Sequence, residues 1–86
     1  MKMIELPGRK DRLMKWDVPD NITHIVCGTI SHFGWRVVSK HKSFGAALKK
    51  RKKLDGHFVV VRLKDTAIMD RDGSVKGFVG DWAHLV

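Results

Sequence analysis

Cysteine is nearly absent from the 86-residue sequence, in which Cys27 is the only example. A single cysteine cannot form a disulfide within the chain or a cysteine-based zinc site. Cys27 lies in the apolar run THIVCGTI, residues 23–30, which indicates a small buried hydrophobic residue rather than a reactive thiol. Such low cysteine content favours a reducing compartment, and we therefore expect a cytoplasmic protein.

Long apolar runs are also missing, since the longest falls far short of the roughly 20 residues that a membrane span needs. The segment MKMIELPGRKDRLMKW, residues 1–16, contains no apolar stretch of the length found in signal peptides. We therefore expect no membrane partner.

Acidic residues are scarce relative to basic ones, because 17 Lys and Arg face 9 Asp and Glu, for a net charge of +8. A field of this sign attracts polyanions and raises the rate of encounter with them. Nucleic acid and acidic proteins both satisfy this description, and a high net charge can also serve solubility alone.

Motifs for cofactors and metals are missing as well. The glycines form neither GxGxxG nor a P-loop pattern, which argues against a nucleotide cofactor. DRDGSVKGFVGD, residues 70–81, resembles a calcium loop only superficially, because Val75 stands where an EF-hand needs glycine. Five histidines show no HxH or HExxH spacing. We expect no cofactor and no metal site.

The length and patterning predict one small α+β domain over residues 1–86, with an antiparallel sheet of about four or five strands and one helix packed on it. The predicted order is β-β-α-β-β after an N-terminal element. For residues 1–16 the pattern fits a first strand or a basic arm. The β-branched segments 22–30 and 35–40 predict a hairpin of two strands.

Three further segments after residue 56 have strand character. Residues 57–64, HFVVVRLK, are apolar on both sides of an alternating pattern, which predicts a central strand. TAIMD and VKGFV flank RDGS, and the Asp72-Gly73 pair between short β-prone runs predicts a hairpin turn.

The segment SFGAALKKRKKL, residues 43–54, predicts an amphipathic helix with Ser43 as its N-cap, ending before Asp55-Gly56. At about 100° per residue, one arc carries apolar side chains and the opposite arc carries lysines. The apolar residues are Phe44, Ala47, Leu48 and Leu54, and the lysines are Lys49, Lys50, Lys52 and Lys53. Arg51 falls inside the apolar arc, where we expect it to snorkel past the helix end or to pair with an aspartate of the sheet.

These features lead to nucleic-acid binding, DNA or RNA, as the primary hypothesis. The four lysines crowd one helix surface and no acidic residue lies among residues 43–54, an arrangement that costs stability and suits phosphate contacts. Arg9, Lys10 and Arg12 form a candidate second contact arm. In the predicted hairpin, Trp35 beside Arg36 offers a stacking surface for an unpaired base, although a tryptophan that starts a strand is more often part of a core.

Two alternative functions are also consistent with the sequence. The chain could be a small accessory or inhibitor protein, phage- or plasmid-encoded, that binds an acidic host protein through the lysine surface. The third hypothesis is an RNA-cleaving, toxin-like enzyme with His32 and His41 as acid and base. No nucleophile or triad signature accompanies these histidines, so the prediction is a protein that is not an enzyme.

Overall fold

The structure is a computed structural model that describes residues 2–7, 13–30 and 34–79. Its elements in chain order are β1 (Lys2–Pro7), β2 (Leu13–Val18), β3 (His24–Ile30), β4 (Gly34–His41), α1 (Phe44–Lys52), β5 (Phe58–Arg62), β6 (Ala67–Met69) and β7 (Val75–Phe78). The helix and strands confirm the predicted α+β class. α1 has 9 residues, and no helix in the described ranges combines the length and apolar character of a membrane span.

The strands form two antiparallel sheets. β1 and β2 pair with each other as a two-stranded ribbon, and the remaining strands form a five-stranded sheet in the order β4-β3-β5-β6-β7. β5 is the middle strand, as its apolar residues on both sides predicted. Residues 2–7 and 13–18 are therefore strands rather than an arm, and three strands follow the helix.

Alternation along β5 explains how one strand serves two cores. Val60 lies in a buried cluster on one face of the five-stranded sheet, whereas Val61 lies in a second cluster on the other face. Successive side chains of a strand point to opposite faces, so an uninterrupted run of valines can contribute side chains to both clusters.

The first face is covered by α1. Its core, called here the helix-side cluster, consists of Val26, Ala47, Val60, Ala67 and Met69. Phe44, Leu54 and Phe58 pack against it while remaining partly exposed. The apolar arc of the predicted helix thus does meet the sheet, with Ala47 as its fully buried member.

The second face is covered by the β1-β2 ribbon and holds the larger core. This ribbon-side cluster contains Ile4, Leu6, Val18, Ile22, Ile25, Cys27, Trp35, Val61, Leu63, Ile68 and Val79. Cys27 is 0% exposed, which confirms that it is a core residue, and its burial raises the pKa of the thiol to about 12. The Lys40 ammonium donates a hydrogen bond of 3.2 Å to the Asp17 carbonyl and links β4 to the ribbon.

Two glycines supply turns that other residues adopt with strain. Gly56 has φ +109° between α1 and β5, and Gly73 has φ +89° between β6 and β7. Both positions match the turns predicted from Asp55-Gly56 and Asp72-Gly73, because glycine has no Cβ to oppose a positive φ.

Candidate nucleic-acid interface

The helix α1 begins at the predicted cap. Ser43 has extended backbone angles, and its hydroxyl accepts a hydrogen bond of 3.2 Å from the Ala46 N–H. This bond satisfies one of the N–H groups that a helix leaves without a partner at its first turn. The C-terminal end closes when the Lys53 and Leu54 N–H groups bond to the Lys50 and Arg51 carbonyls, both at 3.1 Å. The cap and the stop set where α1 begins and ends, and the packing of Phe44, Ala47 and Leu54 on the sheet sets which residues face outward.

The outward surface of α1 carries a dense group of cations. The side chains are all exposed and are called here the four helix lysines: Lys49, Lys50, Lys52 and Lys53. No ion pair in the described part of the chain involves any of them. Like charges at helical spacing repel by roughly 0.2–0.5 kcal/mol per pair, so this surface reduces the stability of the isolated helix.

Two aspartates, Asp65 and Asp72, form hydrogen bonds within turns rather than with the helix. Asp65 forms a bidentate pair with Arg62, at 2.7 and 3.1 Å, in the turn after β5. This contact holds the pKa of Asp65 below its ordinary value. Asp72 accepts from both the hydroxyl and the N–H of Ser74, and these bonds lower its pKa as well. These two carboxylates therefore stabilise turns and form no ion pair with the four helix lysines.

Arg51 has a different role from the two that the sequence suggested. Its Nε donates a hydrogen bond of 2.6 Å to the Phe58 carbonyl, in a partly buried position. The contact is with the backbone at the start of β5 rather than with an aspartate of the sheet. A charged donor on a carbonyl makes a strong hydrogen bond, so Arg51 fixes the end of α1 against β5.

A groove lies beside the helix, between α1 and the β6-β7 hairpin. It has a volume of about 330 Å³. Arg51 and Lys52 line it from the helix, and Arg71 and Lys76 line it from the hairpin, with Asp70 as the acidic residue among them. Leu48, Phe58 and Met69 contribute apolar surface. The groove thus extends the basic surface of the helix across to the edge strand β7.

The hairpin that forms the far wall is held by local contacts. The Asp70 N–H bonds to the Ser74 carbonyl at 2.9 Å, and the Gly73 N–H bonds to the Asp70 carbonyl at 3.0 Å. Gly73 approaches the helix, because a Cβ at this position would lie 3.8 Å from the Phe44 ring. The hairpin tip therefore lies close to the Phe44 side chain of α1.

The other predicted contact residues divide into three groups. Trp35 is only 2% exposed and belongs to the ribbon-side cluster, so it cannot stack on a base and its proposed stacking role is wrong. Arg36 is exposed on β4. It pairs with Gly28, which also pairs with Phe58, at the same end of the sheet as the C-terminus of α1. Arg9, Lys10 and Arg12 lie outside the described residues.

Two histidines face each other next to the basic surface. His24 and His41 are cross-strand partners on β3 and β4, and the His24 ring lies 5.8 Å from the Phe44 ring. Burial lowers the pKa of both, and Arg62 lowers that of His24 further while Lys50 lowers that of His41. His41 also hydrogen-bonds Ser39 at 2.8 Å. His32, its predicted catalytic partner, lies outside the described residues.

Arg71, Lys76 and Phe78 are the surface residues that sequence reasoning missed. All three belong to a hairpin that the sequence identifies only by its turn residues. The available signal was the placement of a cation on each side of Asp72-Gly73, which puts both on one short hairpin. Its position across the groove from α1 is a tertiary feature that no local pattern encodes.

Comparisons with known proteins returned no counterpart: no protein-family model, curated protein or solved structure matches this chain. Within residues 2–7, 13–30 and 34–79, no group of three or more His, Cys, Asp or Glu is placed to hold a metal ion. The chemistry of the basic surface therefore has to be argued from its own residues.

Proposed function

We propose that this chain binds nucleic acid through the four helix lysines, which contact the phosphate backbone. The observation that supports the proposal is that these lysines share one exposed helix surface and have no acidic partner in the described structure. Ammonium groups that protein carboxylates leave free can neutralise phosphates, and each contact releases condensed counterions into solution.

The surroundings of the helix extend the same surface. Arg71 and Lys76 continue the positive charge across the groove, and Arg36 is exposed on the same sheet. Phosphate contacts of this kind are independent of base sequence, so the proposal includes no sequence specificity. A cytoplasmic location, where RNA and the DNA of a prokaryotic cell are both accessible, is part of the proposal.

The test replaces the four helix lysines with alanine and measures binding to a fluorescently labelled oligonucleotide by anisotropy. Affinity should fall by an order of magnitude or more at low salt, because about four phosphate contacts are lost. A matched control replaces four exposed lysines outside α1, which are Lys15, Lys40, Lys42 and Lys64. Both variants lose the same formal charge, so a selective loss in the helix variant supports a local surface.

An acidic protein could contact the same ammonium groups, and one experiment separates the two partners. The tagged chain is used to capture partners from a lysate with and without nuclease treatment. Partners that disappear after nuclease treatment are bridged by nucleic acid, as the proposal expects. An acidic protein retained after nuclease treatment, and lost from the fourfold helix variant, would contradict it.

A further inference from the structure

We propose that the groove beside α1 and the ring of Phe78 bind one nucleotide of a single strand, with its phosphate in the groove and its base on the ring. This inference rests on the proposed function and makes it more specific, because it selects unpaired over base-paired nucleic acid.

The phosphate position follows from the charges that line the groove. Cations approach from both walls, Arg51 and Lys52 from the helix and Arg71 and Lys76 from the hairpin, against the one carboxylate of Asp70. A volume of about 330 Å³ is at the lower end of small-molecule sites, which are about 300–1,000 Å³. A nucleotide can therefore enter the groove, whereas a duplex can only lie across its rim.

The stacking position follows from strand register. Phe78 pairs with Ala67, and Ala67 lies in the helix-side cluster, so Phe78 lies on the same sheet face as α1 and the groove. Its side chain is 42% exposed. Among the aromatic residues whose exposure the structure describes, the others are buried or only partly exposed. Lys76 lines the groove two residues before Phe78 on the same edge strand, which places a cation beside an accessible ring.

This combination is the one that single-strand binding needs. An aromatic ring stacks on an unpaired base of any sequence, and neighbouring cations hold the adjoining phosphates. The bases of a duplex already stack on each other, so Phe78 would contribute little to duplex binding. Because β7 is an edge strand of the sheet, a base can approach the ring without displacing another strand.

The experiment compares Phe78→Leu with Phe78→Tyr on a labelled single-stranded oligonucleotide and on the matching duplex. Phe78→Leu should weaken single-strand binding about 5- to 150-fold, the range for losing one stacked base. It should leave duplex binding within about twofold. Phe78→Tyr should retain single-strand binding, because the tyrosine ring also stacks. Val75→Ala is the matched control, since Val75 is 44% exposed on the same strand and cannot stack.

Salt dependence gives a second readout that a structural role of Phe78 would not produce. Stacking releases no counterions, so Phe78→Leu should lower affinity without changing the slope of log K against log salt. Lys76→Ala should reduce the magnitude of that slope by about 0.7, the value for one single-strand phosphate. Thermal unfolding of each variant confirms that it is folded before binding is compared.

The outcomes separate this inference from the proposed function. If Phe78→Leu binds single strands as Val75→Ala does, or weakens duplex binding equally, the stacking site is overturned. The proposed function then still stands if the fourfold lysine variant has lost binding. If the wild-type chain binds no nucleic acid, both are overturned.

Discussion

The two faces of the five-stranded sheet are covered in different ways. On one face, the β1-β2 ribbon covers a large apolar cluster that includes Trp35 and Cys27. On the other face, a nine-residue helix covers a smaller cluster, and its outward side carries the four helix lysines. The ribbon side therefore supplies most of the apolar burial, while the helix side accepts charge repulsion on its outer surface. The difference indicates that stability is concentrated on the ribbon side, whereas the helix side is the face to which the proposed function assigns binding.

A substitution in the ribbon-side cluster should have the largest effect on the free energy of unfolding. Trp35→Ala removes a side chain that is 2% exposed and should lower the free energy of unfolding by about 3–5 kcal/mol. A domain of this size has about 5–15 kcal/mol in total, so the variant should be marginally folded. Urea denaturation followed by circular dichroism measures the change. Val38→Ala is the control on the same strand, because Val38 is exposed, and a comparable loss there would contradict the proposed division.

The contact between α1 and β5 should contribute less to the free energy of unfolding than the ribbon-side core does. Arg51→Met keeps an apolar stem but removes the hydrogen bond to the Phe58 carbonyl and one cation of the groove. We expect a loss of about 1–2 kcal/mol in the free energy of unfolding, because the bond is charge-assisted and partly buried. Arg51→Lys keeps the positive charge but lacks the planar guanidinium group. Compared with Arg51→Met, it should therefore restore nucleic-acid affinity more than the free energy of unfolding. Equal stability of Arg51→Met and wild type would show that this bond does not hold the helix in place.

A substitution that raises stability on the helix side would sharpen the comparison between the two sheet faces. Gly45 lies in the first turn of α1, and a Cβ there would meet no atom within 4 Å. Gly45→Ala should therefore raise the free energy of unfolding by about 0.5–1 kcal/mol, since alanine restricts the unfolded chain and favours a helix. Thermal unfolding measures the shift, and affinity for an oligonucleotide should not change. A destabilised variant would contradict the open space that the structure shows around this position.

The pH dependence of stability tests the histidine pair on the helix side. The pKa values of His24 and His41 are lowered in the folded state, so the unfolded chain takes up these protons first as pH falls. Their contribution is present above about pH 6.5 and is lost as pH falls below that value through the folded-state pKa values. Unfolding from pH 7.5 to pH 5.5 should show this decline. His24→Gln with His41→Gln should flatten the curve, and an unchanged curve would exclude this pair as its source.

Local patterns in the sequence predicted much of the fold. The Ser43 cap, the arc with Ala47, the stop at Gly56 and the two-sided valine run of β5 depend on neighbouring residues, and each appears in the structure. The stacking role of Trp35 was predicted wrongly. Trp35 and Val37 alternate with Arg36 and Lys40, a pattern that favours the core, but the β1-β2 ribbon that covers this face is a tertiary feature.

The candidate site was only partly predictable from the sequence, because local patterns place some of its residues and tertiary structure places the others. The four helix lysines share a face by helical geometry alone, which a sequence displays directly. Arg71 and Lys76 join that surface only because the hairpin lies across the groove from α1. Phe78 faces the same side of the sheet because it pairs with Ala67 of the helix-side cluster. The hydrogen bond of Arg51 to the Phe58 carbonyl likewise depends on the path of the chain around Gly56.

The salt dependence of binding tests the role of the four helix lysines most directly. With duplex DNA, four phosphate contacts predict a slope of log K against log salt that is steeper by about 3.6 in the wild type than in the fourfold helix variant. With a single strand the difference should be about 2.8. The control that replaces Lys15, Lys40, Lys42 and Lys64 should keep most of the wild-type slope. Equal slopes and affinities for the helix variant and the wild type would show that α1 is not the binding surface.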